Sequence, residues 1–386
     1  MKKIILSIIT SLILTSCFGE EMAPVAEKIP HKFTLHGKEI IDNYAWLRDK
    51  NWPNVTDKKI LEYVKAENKY SESFFSENQM LKDRLFKELK SRIKLTDQTV
   101  PVKKDNYFYY SRTELDKNYS IYCRKEGSLE DKEEIYLDVN ELAKDKKFTK
   151  ISALSPSPDH KLLAYSVDFD GNEQYIIYVK DLKSGKLLKD QISSTIGQVY
   201  WHESGKGFFY TPVNENWRHD KVMYHALGND PMDVVLIMHD TDVLNQLSGS
   251  KSSSRKYFFI ESSGHDSSEI YYFSMDDEEF KPKLLISRKE KIFYDIDHAG
   301  DYFYVRTNDK GHNFRLARID VNKPSEDNMK DYLPHQENAY LDSFDVSKNY
   351  LVTNYKVDGL SYVTIYRTSD GDKKDVNLPD EVYTAS

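Results

Sequence analysis

The sequence is short of several things, and each shortage removes a class of protein. Among its 386 residues there are only 2 cysteines, Cys17 and Cys123. A disulfide scaffold is therefore excluded, and the fold must be held by its core. There is no surplus of positive charge: 55 Lys and Arg face 63 Asp and Glu, a formal net charge of −8. A broad polyanion-binding surface is not expected, so nucleic acid is not an expected partner. Only one long apolar run occurs, at the N-terminus, which excludes a polytopic membrane protein. Aromatic residues, by contrast, are plentiful. With 28 Tyr and 18 Phe the chain has the apolar mass that disordered sequences lack.

The N-terminal run reads as an address. Lys2 and Lys3 form a basic start, and Ile4 to Leu14 is apolar apart from Ser7, Thr10 and Ser11. That stretch is too short to span a bilayer but matches a secretory signal. Leu14-Thr15-Ser16-Cys17 follows and resembles a bacterial lipobox. The resemblance implies cleavage after Ser16 and lipid attachment at Cys17, hence an exported, membrane-anchored lipoprotein. A periplasmic or secreted protein with a chance cysteine is the alternative. With Cys17 acylated, Cys123 is the one free thiol, and its strand-like surroundings (YSIYCR) read as core rather than nucleophile.

A linker over 17–30 and a helical segment over 31–100 are expected next. Thr56 and Asp57 offer helix N-caps, and Ile60, Leu61 and Val64 follow at helical spacing. Leu81, Leu85, Leu89 and Ile93 recur every four residues, an amphipathic stripe that reads as packing.

From Pro101 the texture becomes short, aromatic and β-branched. A strand core recurs at Tyr107–Tyr109, Leu163–Tyr165, Phe208–Tyr210, Tyr257–Phe259, Tyr302–Tyr304 and Tyr350–Val352. From Leu163 the intervals are 45, 49, 45 and 48 residues. A second strand follows each core, as in Ile121-Tyr122, Ile177-Tyr178, Met223-Tyr224, Ile270-Tyr271, Leu316-Ala317 and Ile365-Tyr366. An earlier strand precedes most cores, such as Val199-Tyr200-Trp201, and Leu187-Leu188 supplies a fourth. Four strands per repeat of this length is the pattern of a β-propeller blade. A pair of β-sandwiches would also give many short strands, but gives no reason for the period. The expected fold is mainly β: a helical segment, then a propeller over 101–386. Six blades are readable. Asp380–Ser386 resembles the opening strand of a seventh, so the propeller is expected to be cut short near that point.

Four segments then carry a family resemblance: DNYAWLRD (42–49), LSPSPDHKLLAYSVDFDG (154–171), YWHESGKGFFYTP (200–212) and HALG (225–228). In order and spacing they resemble the N-terminal half of prolyl oligopeptidases. The WLRD ending and PDEVYTA (379–385) are most similar to the oligopeptidase B, or protease II, branch. The resemblance runs from about His31 to Ser386. It implies a seven-bladed propeller covering an α/β-hydrolase that carries a Ser-Asp-His triad and cuts short peptides after Lys or Arg. The propeller would restrict access to oligopeptides. No Gly-x-Ser-x-Gly elbow occurs in the sequence. Gly249-Ser250-Lys251-Ser252-Ser253 and Gly264-His265-Asp266-Ser267 read as polar turns. No catalytic residue is therefore assigned. The chain is expected to be inactive without a separate hydrolase polypeptide, with a membrane-anchored, non-catalytic binding propeller as the alternative.

Other clusters are weaker. His219, Asp220 and His225 have the spacing of a strand face but no further ligands, so metal binding is not expected. Asp168, Asp170, Gly171 and Asn172 resemble a Ca²⁺ loop without its terminal Glu, and a turn explains them better. Asp276–Glu279 reads as a solvated acidic loop. No nucleotide-binding glycine pattern follows a strand, and no cofactor is expected.

Overall fold

The computed structural model describes residues 22–378, except 53, together with 380, 382 and 383. Cys17 and the signal segment lie outside these residues, as does most of the expected opening strand at 380–386. The chain divides into two compact units, 1–95 and 96–386.

The first unit opens on a hairpin, β1 (His31–Leu35) with β2 (Lys38–Asp42), that the helical reading of this segment did not contain. Neither strand has a buried residue, so no inside–outside alternation marks them in the sequence. Helix α1 spans Lys58–Ser76, and Asp57 caps it by accepting from the Lys59 and Ile60 amides. The Asp49 of the WLRD motif is 7% exposed and holds the preceding loop. It accepts from the amides of Asn51 (2.7 Å), Thr56 (2.6 Å) and Asp57 (2.8 Å). Helix α2 spans Gln79–Ser91. The stripe read as a packing face, Leu81, Leu85, Leu89 and Ile93, is exposed at every position.

The second unit is a succession of four-stranded antiparallel blades. Blade one is β3 (Val102–Lys104), β4 (Tyr107–Arg112), β5 (Ile121–Glu126) and β6 (Glu134–Asp138). Blade two is β7 (Lys150–Pro156), β8 (Leu162–Asp168), β9 (Tyr175–Asp181) and the first half of β10 (Leu187–Trp201). Blade three is the second half of β10 with β11 (Gly207–Pro212), β12 (Lys221–Ala226) and β13 (Val235–His239). Blade four is β14 (Gln246–Lys251), β15 (Tyr257–Ser263), β16 (Ser268–Ser274) and β17 (Lys283–Ile286). Blade five is β18 (Tyr294–Ala299), β19 (Tyr302–Thr307), β20 (Arg315–Asp320) and β21 (Lys330–Leu333). Blade six is β22 (Tyr340–Val346), β23 (Tyr350–Val357), β24 (Leu360–Arg367) and β25 (Lys373–Asp375).

Strand β10 belongs to two blades at once. Its start pairs with β9 and its end with β11, with Thr195 paired to both Tyr175 and Pro212. Among the described residues no strand pairing joins blade six back to blade one, and every strand pair is antiparallel.

Side-chain alternation builds the core between blades. Successive residues of a strand point to opposite faces. Phe208 therefore packs toward blade two with Ile177 and Trp201, while Phe209 packs toward blade four with Phe258 and Phe273. Phe258 and Phe259, then Phe303 and Tyr304, repeat the split at the next two junctions. Gly249 lies in the strand β14 and not in a turn, and glycine is required there because a Cβ would stand 2.6 Å from the Phe258 ring. Cys123 is fully buried in blade one, and burial pushes its thiol up to about 11, as befits a core residue.

Candidate functional site: the two ends of the propeller

Topology sorts the connections. In an antiparallel blade, the first-to-second and third-to-fourth connections emerge at one end, here called the turn end. The second-to-third connections and the links between blades emerge at the other, the loop end. First strands also approach one another, as β18 meets β22, so the first turns converge toward the axis.

At the turn end these converging turns carry matched charges. Asp105, between β3 and β4, accepts from Arg255 Nη2 at 3.0 and 3.2 Å. Arg255 lies between β14 and β15, so this pair crosses from blade one to blade four. The other side of Asp105 meets His160 Nε2 of blade two at 3.1 Å. His160 is itself fixed by Tyr109 Oη at 2.8 Å, and its carbonyl accepts from Arg124 at 2.7 Å. Lys251 donates to Glu203 of blade three at 2.5 Å, and Ser253 donates to Asp297 of blade five from both its amide and its hydroxyl. Nearby, His225 Nε2 meets Asp190 Oδ1 at 2.9 Å, a fully buried tie from blade three to blade two.

The electrostatics follow from these contacts. Burial works to raise the Asp105 carboxyl, but the hydrogen bonds from Arg255 and His160 outweigh it and hold the group below its usual range. Burial, with Lys251 and Arg255 close by, pushes the Lys104 amine down. Burial pushes the Asp297 carboxyl up against its Ser253 hydrogen bonds, and Asp345 on the neighbouring blade adds to the rise. His298, just beyond Asp297, is buried under Tyr257 and Phe303 with Nδ1 2.6 Å from Ser254 Oγ. Burial lowers it to about 4, and Lys256 adds to that effect.

Exposed apolar side chains occur at both ends: at the turn end they are Leu129 and Met232, on third-to-fourth turns, while at the loop end Leu115, Trp217, Val243, Leu244 and Phe293 are exposed, Leu244 by 77% and Trp217 by 48%. Those of the loop end come from blade one, blade three and the links into blades four and five.

The other sequence candidates disperse. His219 Nδ1 meets the Leu247 carbonyl at 2.8 Å, His225 meets Asp190, and Asp220 accepts from Asn214 at 3.1 Å. The three are not gathered, and no cluster of metal-ligating side chains occurs among the described residues. Asp168 is buried and accepts from the amides of Asp170, Gly171 and Glu173, so the resemblance to a Ca²⁺ loop is that of a side-chain-anchored turn. Asp276, Glu278 and Glu279 are exposed on the turn after β16. The sequence reading missed the cross-blade cluster. Its one available signal was that Asp105, His160, Glu203 and Arg255 occupy the same turn of successive repeats.

Such a molecule is a β-propeller with cross-blade ion pairs among the first turns of one end and exposed apolar side chains on the connections of the other. The chain belongs to the prolyl oligopeptidase family: the family's N-terminal β-propeller domain matches residues 24–386. It is 31% identical to Protease 2 of Moraxella lacunata over 370 residues, which cover 94% of this chain and 52% of that protein. It is 28% identical to dipeptidyl aminopeptidase BI of Pseudoxanthomonas mexicana, covering 98% of this chain and 54% of that one. Oligopeptidase B of Trypanosoma brucei superposes with a TM-score of 0.83 at 26% identity, over 94% of this chain and 54% of that one. Oligopeptidase B of Leishmania major gives 0.85 at 24% identity, over 93% and 54%. The chain thus spans about half the length of these relatives, and the resemblance to the propeller half of the oligopeptidase B branch holds.

Proposed function

We propose that this chain is the substrate-gating half of an oligopeptidase B-type serine peptidase that hydrolyses short peptides after Lys or Arg. A hydrolase half supplies the nucleophile, general base and oxyanion hole. The propeller supplies the lid and size filter. The observation that carries this reading is the contrast between the two sets of inner connections: those of the loop end carry exposed apolar side chains such as Val243, Leu244 and Phe293, while the first turns of the turn end are tied to one another by cross-blade ion pairs. The experiment is co-purification of this chain with the hydrolase half of a relative such as the Moraxella lacunata protein. A stable complex that cleaves a short Arg-containing chromogenic peptide, is blocked by a serine-directed inhibitor and spares long chains supports the proposal. Peptide turnover by this chain alone, surviving that inhibitor, overturns it.

We further propose that the protein is exported and anchored through lipid on Cys17, on the strength of the LTSC run after its apolar stretch. Radiolabelled palmitate should enter the protein and be lost in Cys17→Ser. A propeller that only binds a partner at the envelope is the rival reading. It predicts tight peptide binding with no gain of hydrolysis when the hydrolase half is added.

A further inference from the structure

Between blades five and six a cavity of about 480 Å³ opens at the turn end. Its size lies within the usual range of small-ligand sites. Arg318 of β20 and the rings of Tyr302 and Tyr304 line one wall, Lys348 and Tyr350 the other.

Arg318 is unlike the other arginines of the propeller. Arg112, Arg124, Arg255, Arg288, Arg306, Arg315 and Arg367 each meet a carboxylate, and Arg218 donates to the Asn245 carbonyl. Arg318 has no oxygen partner for its guanidinium among the described residues. It is half-buried and held by two rings instead, Tyr302 at 4.3 Å and Tyr332 at 5.3 Å from its central carbon. Ring stacking fixes the plane of a guanidinium and leaves its N–H edge free. Among the described residues Lys348 has no carboxylate within ion-pair distance either, and Asp301 is the one carboxylate among the residues lining the cavity. Arg367, at the rim, is already matched by Asp370 and Asp372.

An oriented arginine edge, a second unpaired cation and flanking tyrosine rings form a site for a planar anion with an apolar neighbour. We infer that this cavity binds a carboxylate that carries an aromatic or apolar group beside it, as at the C-terminus of a short peptide. Arg318 grips the carboxylate through two N–H groups, Lys348 adds charge, and Tyr302 and Tyr350 receive the side chain. The site is built on the first turns of blades five and six, away from the Asp105–Arg255 pair, and needs no hydrolase half.

The test is calorimetric titration of the full chain with acetyl-glycyl-phenylalanine and with its C-terminal amide. The acid should bind at least about tenfold more tightly, the difference expected for a charge-assisted pair. Arg318→Gln should abolish that preference, and Lys348→Ala on the exposed turn should weaken the acid about threefold while leaving the amide unchanged. If Arg318→Gln does not fold, as judged by its melting temperature, the acid–amide ratio and Lys348→Ala decide the matter. Equal binding of acid and amide, no binding of either, or displacement of the acid by inorganic phosphate of equal or higher affinity overturns the inference.

Discussion

At the turn end of the propeller, Asp105, His160, Glu203, Lys251, Arg255 and Asp297 find partners on other blades. At the loop end, Trp217, Val243, Leu244 and Phe293 face outward. The same six-fold repeat generates both surfaces, since each blade sends two connections to each end. The difference teaches where the two kinds of selection act. Ties between blades resist splaying of the blades, while exposed apolar side chains add nothing to a propeller alone and gain meaning only under a second surface. Each end can be perturbed separately.

The largest expected effect is at the turn end, in its most buried tie. Asp190→Ala leaves the His225 Nε2–H and the Gly228 amide, which also donates to Asp190, without an acceptor. Two orphaned donors cost about 4 kcal/mol together, readable as a shifted urea midpoint with an unchanged slope. A loss below ~1 kcal/mol would mean that the tie is incidental.

The next effect is a pH dependence. His298 has its folded pKa depressed to about 4 from an ordinary 6.5. Its contribution is therefore complete above pH 6.5 and is lost as the pH falls toward 4, about 3 kcal/mol in all. Between pH 6.5 and 5, stability should fall more steeply in the parent than in His298→Gln. Retention of the slope in that variant would move the effect to another histidine.

A smaller effect belongs to the pair that crosses the axis. Asp105 is 44% exposed, so screening limits the loss in Asp105→Asn to about 1 kcal/mol or less. Its carboxyl is depressed, so what it contributes is present above the ordinary carboxylate pKa near 4 and fades below it. Acidification should thus release His298 first and this pair second. At neutral pH, Asp105→Asn should speed amide exchange in the turns around 105 and 160 and leave the blade cores unchanged.

Much of the fold was legible because burial writes itself into the repeat. Every aromatic core found by spacing lies in the second strand of a blade, from β4 to β23, and every follower lies in the third, from β5 to β24. These strands are covered on both faces, which demands consecutive apolar residues such as Phe208-Phe209 and Phe258-Phe259. The hairpin of β1 and β2 was not legible, because exposed strands carry no such pattern. The continuity of β10 was not legible: Leu187-Leu188 and Val199-Tyr200-Trp201 read as two strands, and Ser193, Ser194 and Gly197 lie between them. Ser194 and Gly197 do take positive φ, at 55° and 89°, yet the strand runs on. The turn-end ties were hidden for another reason. A repeat says which turns are equivalent, not which charge on one meets which charge on another 150 residues away.

The smallest effect on stability is expected at the loop end, and it is the sharpest test of the contrast. Trp217→Ser with Leu244→Ser removes two side chains that are 48% and 77% exposed. Neither belongs to a core cluster between blades, so the melting curve should shift by no more than about 0.5 kcal/mol. Binding of a hydrolase half should respond quite differently. Exposed aromatic and aliphatic side chains at the centre of an interface each contribute about 2 kcal/mol or more, so the double variant should weaken the complex by at least tenfold while the free propeller stays as stable as before. A matching double change at the turn end, Asp105→Asn with Arg255→Gln, should do the reverse: little change in the affinity for the hydrolase half, faster exchange in the axial turns, and admission of longer peptides by the assembled enzyme. If the loop-end variant melts early, those side chains are internal supports and the apolar end is not a docking face. If the turn-end variant loses the partner, the two ends have been assigned the wrong way round.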